Sequence, residues 1–404
     1  MTHRERLTIR FLQPDTVGRA LQGLGVDPYG IRIMQPKAES YCIRLGPVSF
    51  AASNILKQEM LSLGGECALP RDAITGRLKR SDCLLIGNSV HLVRLREKLR
   101  RQPFGLAAIS RELGEAIENY SKRSRVLDIK GKKLGLTKPL VMGIMNITTD
   151  SFSGDGLLAG PAPFDRKMTA ERGQQLVEEG ADILDIGGES SRPGASPVSL
   201  KDELKRVVPA VKILAKSVKV PISVDTRRPE VAAESLAAGA SIINDITGLT
   251  SSRMRNVCAR NRCAVVIMHM RGTPRTMRTM TSYGCLMAEL SGFFRDAIAR
   301  ARSSGIDEER MILDPGIGFA KTGEQNLEIL RNLRELSSFG RPLLVGVSRK
   351  AFIGKILDAG PDQRLSGTLA ACVLAAANGA GILRVHDVKE TAQALKTASA
   401  ILNG

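Results

Sequence analysis

Beyond residue 122 the chain repeats one pattern eight times: a short apolar run, rich in β-branched residues, followed by a stretch with helical periodicity. Such runs are typical of parallel strands that are buried on both faces. Eight strand–helix units in about 265 residues predict a (β/α)8 TIM barrel of the α/β class, with a doubly wound sheet as the alternative. The predicted strands are residues 139–146, 181–188, 220–226, 240–248, 264–270, 311–319, 342–350 and 381–387.

The first 122 residues have a different pattern, which predicts a smaller, basic α/β domain of unassigned role. The predicted strands there are LTIRF, YCIRL and CLLIGN, and the predicted helices are SFAASNILKQEMLSLGG, SVHLVRLREKLRR and FGLAAISRELGEAIENY. After them, VLDIKGKKLGL predicts two short strands around a Gly-Lys-Lys turn. We therefore place the domains at residues 1–122 and 123–404.

Composition narrows the class of protein. Trp is absent and aromatic residues make up 3% of the chain, so the core must be aliphatic. Seven scattered Cys without a CxxC pair, and a charged start without an apolar leader, predict a reduced cytoplasmic protein. Cys258 and Cys263 are predicted to be buried structural thiols rather than metal ligands. No stretch is typical of a membrane span, since the Ala-rich run at 367–381 is interrupted by Asn378 and Gly379.

The net charge of +18 is unevenly distributed. Residues 1–135 contain 24 Lys and Arg against 13 Asp and Glu, and the remainder contains 35 against 28. A basic chain attracts nucleic acid, acidic membranes or phosphorylated small molecules, although a solvated basic surface is the commonest explanation for such an excess.

Polar residues end each of the eight predicted barrel strands. In a parallel barrel all of these ends lie on one face, where the βα loops meet and catalytic groups sit. Capping of the next helix would explain one such residue, whereas eight polar endings favour a site. The residues at these endings are Asn146, Asp185, Asp225, Asn244, Asp245, His269, Asp314, Ser348, Arg349, Lys350, Arg384, His386 and Asp387.

Two kinds of chemistry can be distinguished among them. Asp225, Asn244 and Asp314, with Lys350, could accept the paired N–H donors of an amino-heterocycle and meet its carbonyl or ring nitrogen. A second, cationic and hydroxylated set suits a phosphate group, to which the GGESSRPG loop could add backbone N–H groups. Asn146 could bind a Mg²⁺ ion held chiefly by a diphosphate. The second set consists of Ser191, Arg192, Arg384 and His386.

These motifs together resemble the dihydropteroate synthase family, the pterin-binding barrels of folate biosynthesis. The similarity covers about residues 125–400, in the family's order, and only the combination of motifs is specific. The matching stretches are MGIMNITTDSFS, DIGGESSRPGA, SVDTRRPEVA, INDITG, MHMRGTP, DPGIGFAKT, GVSRKAFIG and RVHDV.

The resemblance implies condensation of 6-hydroxymethyl-7,8-dihydropterin diphosphate with 4-aminobenzoate, with diphosphate loss ahead of amine attack. It implies Mg²⁺ as cofactor with Asn146 as ligand, a homodimer, and closure of the loops at 147–160 and 189–197 over the site. Nucleic acid is not an expected partner. The implied pterin residues are Asp225, Asn244, Met268, Asp314, Gly318, Phe319 and Lys350. The implied diphosphate residues are Ser191, Arg192, Arg384 and His386. The implied aminobenzoate residues are Ser191, Arg192 and Ala351, and the implied catalytic residues are Asn146, Arg192, Lys350, Arg384 and His386.

The chain departs from the family's usual motifs at three places. Thr149 stands where proline is usual, within a loop that has SFSGDG in place of SFSDGG. Ser191 replaces the usual threonine, and Ala351 stands where many members have serine. These differences bear on loop closure and aminobenzoate affinity rather than on the pterin site.

Other functions remain open on the residues alone. A pterin-dependent methyltransferase shares the fold and the Asp/Asn cradle but does not need the SRK and RVH motifs together. A non-catalytic pterin-binding or interaction protein would not need Lys350 or Arg384. A Schiff-base lysine or a glycosidase is less favoured, since Arg349 adjoins Lys350 and few aromatic residues are available to stack on sugars. His269 suits a ligand or a structural role equally well.

Overall fold

The computed structural model describes residues 8–73, 75–122, 125–147, 165–189 and 198–403. The chain divides into two compact units, Met1–Glu118 and Asn119–Gly404. The division lies four residues before the boundary predicted from the sequence.

The first unit contains a three-stranded antiparallel sheet. Strands β1 (Ser40–Ser49), β2 (Glu66–Ala68) and β3 (Arg80–Asn88) lie in the order β1-β3-β2. Alternate residues of these strands pack on helices to form an aliphatic core around Leu56 and Leu85. The helices of this part of the chain are α1 (Val17–Gly23), α2 (Pro28–Met34), α3 (Phe50–Ser62), α4 (Ser89–Leu99) and α5 (Leu106–Ser121).

The prediction of a strand at LTIRF is wrong. Residues 8–13 have no regular structure, and the side chains of Ile9 and Phe11 are 75% and 98% exposed. Apolar alternation stabilises a strand only where a neighbouring strand and a core are available to it, and this segment pairs with no described strand.

The second unit is built on eight parallel strands, as predicted. An antiparallel hairpin precedes them, in which β4 (Arg125–Ile129) and β5 (Lys132–Leu136) flank a turn at Lys130 and Gly131. The eight barrel strands are β6 (Leu140–Asn146), β7 (Ile183–Gly187), β8 (Ile222–Asp225), β9 (Ile242–Asp245), β10 (Ala264–Met268), β11 (Met311–Asp314), β12 (Leu344–Val345) and β13 (Ile382–Val385).

The sheet closes on itself. Its strands follow the order β11-β10-β9-β8-β7-β6-β13-β12, and a parallel bridge between Leu313 and Leu343 joins the two ends of that order. The outer helices are α6 (Arg166–Glu178), α7 (Leu200–Ser217), α8 (Pro229–Ala238), α9 (Ser252–Asn261), α10 (Leu286–Ser303), α11 (Gly323–Arg331), α12 (Ala351–Leu357), α13 (Leu365–Ala377) and α14 (Val388–Asn403).

The barrel interior is apolar at the amino ends of the strands and polar at their carboxyl ends. Alternate residues of each strand face inward. The apolar inward layer includes Met142, Ile183 and Ile242, and the β4–β5 hairpin contributes Leu127 and Ile129 to the same cluster. Two residues further along four of the strands the inward position is charged or an amide, and this change of chemistry creates a polar mouth. These residues are Asp185, Asn244, Asp314 and Arg384. No helix among the described residues is long and apolar enough to cross a membrane.

Candidate active site

The strand alternation decides which polar strand ends enter the barrel mouth. On β9, Ile242 faces the interior layer, so Asn244 also faces inward while Asp245 faces outward. The Asp245 carboxylate accordingly accepts hydrogen bonds from the backbone N–H groups of Thr247 (2.8 Å) and Leu249 (3.2 Å) in the following turn. Asp245 is thus a structural residue, and not every polar strand end belongs to the site.

Arg384 lies at the centre of the mouth between two carboxylates. Its Nε donates to Asp185 Oδ2 at 2.6 Å, and its second terminal nitrogen donates to Asp225 Oδ2 at 3.0 Å. The Arg384 side chain is 20% exposed, against 0% for Asp185 and 10% for Asp225. Burial alone would lower the pKa of Arg384, but Asp185 and Asp225 outweigh it and raise the pKa above its ordinary value. Arg384 therefore remains charged in the site.

Asp225 is held in an environment that opposes its ionisation. Burial raises the pKa of its carboxyl group to about 7, against the opposing effect of Arg384 and with a further contribution from the nearby Asp185. A carboxylate that is so weakly stabilised in the free protein gains strongly from N–H donors supplied by a ligand. This property suits Asp225 to bind a cationic or amide-like heterocycle edge.

Asn244 completes the acidic side of the mouth. Its Nδ2 donates to Asp185 Oδ2 at 3.3 Å. Within the described part of the chain, Asn244 Oδ1 and Asp185 Oδ1 are buried and have no hydrogen-bond partner. Unsatisfied buried acceptors are costly, so these two oxygens mark a place where the protein is prepared to receive donors.

The opposite side of the mouth carries Asp314 and Lys350. Burial raises the pKa of Asp314 to about 6, although the backbone N–H of Gly316 donates to its Oδ1 at 2.7 Å. Lys350 extends along Gly318, where an added Cβ would lie 3.2 Å from Lys350 Cδ, and its Nζ stands 4.4 Å from the centre of the Phe319 ring. A flat ligand between Asp225 and Asp314 would therefore meet carboxylates along its edges and an ammonium group beside them.

The loop that follows Asp314, residues 315–321, is anchored by its last residue. The Lys321 side chain is buried, and its Nζ donates to the carbonyl oxygens of Phe319 (2.9 Å) and Gly316 (3.1 Å) and lies 3.0 Å from His269 Nδ1. Burial, followed by the charge of Lys321, lowers the pKa of His269 to about 3. His269 is thus a neutral structural acceptor rather than a general base.

A second charged group fixes the neighbouring strand ends. Arg349 donates to both oxygens of Asp387, at 2.6 and 3.2 Å. This pair connects the segment before Lys350 to the segment after His386. The His386 ring Nδ1 lies 3.0 Å from the Ser348 hydroxyl, which also accepts the His386 backbone N–H at 3.2 Å. Arg349 therefore holds Lys350 and His386 in fixed relation rather than facing the mouth as a free cation.

Asn146 ends β6 beside the acidic cluster. A Cβ added to Gly187 would lie 3.5 Å from Asn146 Oδ1 and 3.9 Å from the Asp225 Cβ. Both are ordinary van der Waals distances, and they place the Asn146 amide beside its register partner Gly187 at the end of β7. Among the described residues no group of three or more His, Cys, Asp or Glu could hold a metal ion.

The remaining predicted residues fall into three positions. Met268 is buried at the end of β10, in a small apolar cluster with Phe319. Ala351 is the first residue of α12. Ser191 and Arg192, like the loop segments 148–160 and 190–197, lie outside the described residues.

Arg227 and Arg228 follow β8 and bind carboxylates near the mouth. Arg227 contacts Glu189 at 3.2 Å, and Arg228, whose side chain is only 20% exposed, contacts the buried Glu203 at 3.1 Å. Glu203 also accepts the Thr226 hydroxyl at 2.7 Å, so this network supports the backbone next to Asp225.

Two residues of the site were not singled out from the sequence as binding residues. Asp185 was noted only as a polar strand end, yet it contacts both Arg384 and Asn244. Its position two residues after the inward Ile183 is the signal that would have identified it. Lys321 follows a Gly-rich segment, and nothing in its local pattern indicates that it is buried.

Comparison with known proteins agrees with this geometry. Residues 142–386 match the family model described as pterin binding enzyme. The chain is 49% identical to a dihydropteroate synthase from Synechocystis over 65% of its own length and 89% of that protein. It is similar in structure to the Xanthomonas albilineans dihydropteroate synthase solved with 4-aminobenzoic acid, with a TM-score of 0.64 and 41% identity over 70% of this chain and 99% of that one.

Some relatives match beyond the barrel as well. A bifunctional dihydropteroate synthase/dihydropteroate reductase from Helicobacter pylori is 32% identical over 96% of this chain and 98% of its own. The similarity to that protein therefore includes the amino-terminal unit.

Proposed function

We infer that this chain, which belongs to the pterin-binding enzymes and among them to the dihydropteroate synthase family of transferases, joins 6-hydroxymethyl-7,8-dihydropterin diphosphate to 4-aminobenzoate. The products are 7,8-dihydropteroate and pyrophosphate. The observation that carries this function is the buried Asp185–Arg384–Asp225 cluster, with Asn244 beside it and Asp314 and Lys350 opposite.

Pterin recognition follows from the acceptors at the mouth. The aminopyrimidine edge of a pterin presents N–H donors, which Asp225, Asp314 and the free Asn244 oxygen can accept. Lys350, beside the Phe319 ring, can donate to the pterin carbonyl or a ring nitrogen. The pterin ring would be held between the two acidic sides, with its CH₂–O bond directed to the outer lip.

The diphosphate is the leaving group. Breaking of the C–O bond transfers its electron pair to the diphosphate and leaves a cation that the pterin ring stabilises, and the arylamine nitrogen then attacks that carbon and loses a proton. Ser191, Arg192, Arg384 and His386 would receive the departing charge, and electrostatic stabilisation of this kind is worth on the order of 10²-fold in rate or more per contact. No strong base is needed, which fits a neutral, structural His269.

Magnesium is the proposed cofactor. Asn146 supplies an oxygen beside the cluster, which suits an ion that keeps several waters and is held mainly by diphosphate oxygens. When bound, Mg²⁺ neutralises charge on the diphosphate. Ser191, Arg192 and Ala351 remain the proposed aminobenzoate residues. The homodimer and the cytoplasmic location also remain predictions.

If the chain is a dihydropteroate synthase, it should form dihydropteroate in a reaction that depends on Mg²⁺. Incubation of the full chain with pterin diphosphate, 4-aminobenzoate and Mg²⁺ should release pyrophosphate and dihydropteroate in equal amounts, as measured by chromatography. Chelation with EDTA should remove most of this turnover, and added Mg²⁺ should restore it. Binding of pterin without turnover, even when Mg²⁺ is present, would favour a pterin-dependent methyltransferase or a non-catalytic pterin-binding protein.

The amino-terminal unit favours a second activity, the reduction of dihydropteroate. The Helicobacter pylori relative is named for this activity, and the match to it covers 98% of that protein and 96% of this chain, the amino-terminal unit included. In this step a two-electron donor delivers hydride to C6 of the C=N bond of dihydropteroate, a proton adds to N5, and tetrahydropteroate forms while the donor is oxidised.

The test uses the full chain with 7,8-dihydropteroate and, separately, reduced nicotinamide nucleotides and chemically reduced flavin. Tetrahydropteroate formation, followed by chromatography, would support the second activity. Failure with every donor, from a preparation whose synthase activity is intact, would refute it and leave the synthase assignment untouched.

A further inference from the structure

The loop between β11 and α11 buries a lysine for which the proposed chemistry has no use. Lys321 is 9% exposed and immediately precedes Thr322, which caps α11 by accepting the backbone N–H of Gln325 at 3.2 Å. Burial of an ammonium group is costly unless hydrogen bonds replace its hydration. Among the described residues no carboxylate lies within salt-bridge distance of Lys321, so neutral acceptors must hold it.

These acceptors surround the terminal nitrogen of Lys321. Its Nζ has three short contacts, to Phe319 O at 2.9 Å, His269 Nδ1 at 3.0 Å and Gly316 O at 3.1 Å. An ammonium group has three donors and no acceptor, so each hydrogen has a partner among these groups, and the carbonyl oxygen of His269 is a fourth contact at 3.5 Å. With a charged Lys321, His269 Nδ1 accepts and the proton of the neutral imidazole lies on Nε2. Burial lowers the pKa of Lys321 to about 7, and the neutral amine keeps the same contacts when it donates to the two carbonyl oxygens and accepts from Nδ1–H of His269.

The backbone around Lys321 needs such an anchor. Gly316, Gly318 and Ala320 all adopt positive φ, at 68°, 80° and 50°. For alanine this conformation costs on the order of 1 kcal/mol or more. The carbonyl groups of 316 and 319 both accept from Lys321 Nζ, which offsets the repulsion between their dipoles.

The other side of this loop forms the floor of the proposed pterin site. The N–H of Gly316 orients Asp314, while the Lys350 side chain lies along Gly318 with its Nζ over the Phe319 ring. A shift of the loop would therefore move a carboxylate acceptor and an ammonium donor together. Misplacement of such groups by about 1 Å can cost roughly 10²-fold in activity.

We propose that Lys321 is a positioning residue of the pterin site: a buried side chain whose terminal nitrogen holds residues 316–320 in the conformation that presents Asp314 and Lys350 to the substrate. The proposal rests on the synthase function inferred above. It assigns no substrate contact to Lys321, whose Nζ contacts described here all lie inside the protein.

The test is Lys321→Met in the full chain, with Lys212→Met on the exposed face of α7 as the matched control. We expect kcat/KM for pterin diphosphate to fall about 10²-fold, with an unchanged KM for 4-aminobenzoate and an unchanged fold by circular dichroism. Lys212→Met should behave as the wild type. Lys321→Gln, which keeps two N–H donors, should recover part of the loss, and it replaces the Met variant if that protein does not fold.

Wild-type kinetics in a folded Lys321→Met protein would overturn the proposal. An equal loss of binding for both substrates, seen as a similar rise in both KM values, would also overturn it, because it indicates a general structural role. Titration calorimetry with pterin diphosphate and Mg²⁺ separates this proposal from the assigned function. Absence of turnover by the wild type speaks against the function, whereas equal pterin affinity of wild type and Lys321→Met speaks against the role of Lys321.

Discussion

Replacement of Arg384 by glutamine is expected to lower kcat/KM by roughly 10³-fold, from loss of the charge that meets the departing diphosphate and from disorganisation of the pterin cradle. The guanidinium group joins Asp185 to Asp225, so its removal leaves two buried carboxyl groups side by side without a cation. The pKa of Asp225, already about 7 with Arg384 present, should rise further. At neutral pH Asp225 would then be protonated and unable to accept the pterin donors.

Steady-state kinetics of Arg384→Gln at pH 7 and pH 9 would test both parts of this expectation. The pterin-binding part should recover at pH 9, where Asp225 ionises again, whereas the loss in kcat should persist. The matched control is Arg253→Gln, since Arg253 lies on α9, is 75% exposed and pairs with Glu230. Arg384→Gln turnover within a few-fold of the wild type would contradict the role of this cluster.

The barrel was predictable because its signal is repeated and strong. Each of the eight predicted strands exists, although the structure shortens most of them: the run predicted at 342–350 yields only Leu344–Val345. The apolar pattern identifies residues that are buried, but a strand ends where its hydrogen-bonding partners end, and that depends on neighbouring strands. The same reason explains the failure at LTIRF, whose apolar residues have no sheet beside them.

Site residues on strands were predictable, because strand alternation determines which side chains face the mouth. Site residues on loops were not. Asp225, Asn244 and Arg384 lie at inward positions of their strands, and the structure brings the first and third into direct contact. The role of Arg384 as a bridge between carboxylates could not be read from the sequence, since it depends on Asp185, about 200 residues away in the chain. Lys321 escaped notice because burial of a loop lysine depends on backbone carbonyl directions, which the sequence does not display.

Replacement of Asp225 by asparagine should weaken pterin binding by on the order of 10²-fold at pH 8, because a charge-assisted acceptor becomes an amide whose NH₂ opposes the pterin donors. The wild type should show kcat/KM for pterin diphosphate rising between about pH 6 and pH 8, as the carboxyl group with a pKa of about 7 ionises. In Asp225→Asn this component of the rise should be absent. Retention of the wild-type profile in the variant would assign the titration to another group.

A stability measurement tests the same carboxyl group without relying on turnover. The pKa of Asp225 is raised in the folded protein from 3.8 to about 7, so between these values the folded state binds the proton more tightly than the unfolded state does. The contribution of Asp225 to stability is therefore fully present below about pH 4 and is lost as the pH rises to 7. The amide does not titrate, so the melting temperature of Asp225→Asn relative to the wild type should increase from pH 5 to pH 8. A melting-temperature difference that stays constant from pH 5 to pH 8 would show that Asp225 is ionised throughout. The pterin would then bind to a permanent carboxylate rather than to one that the pterin's N–H donors help to ionise.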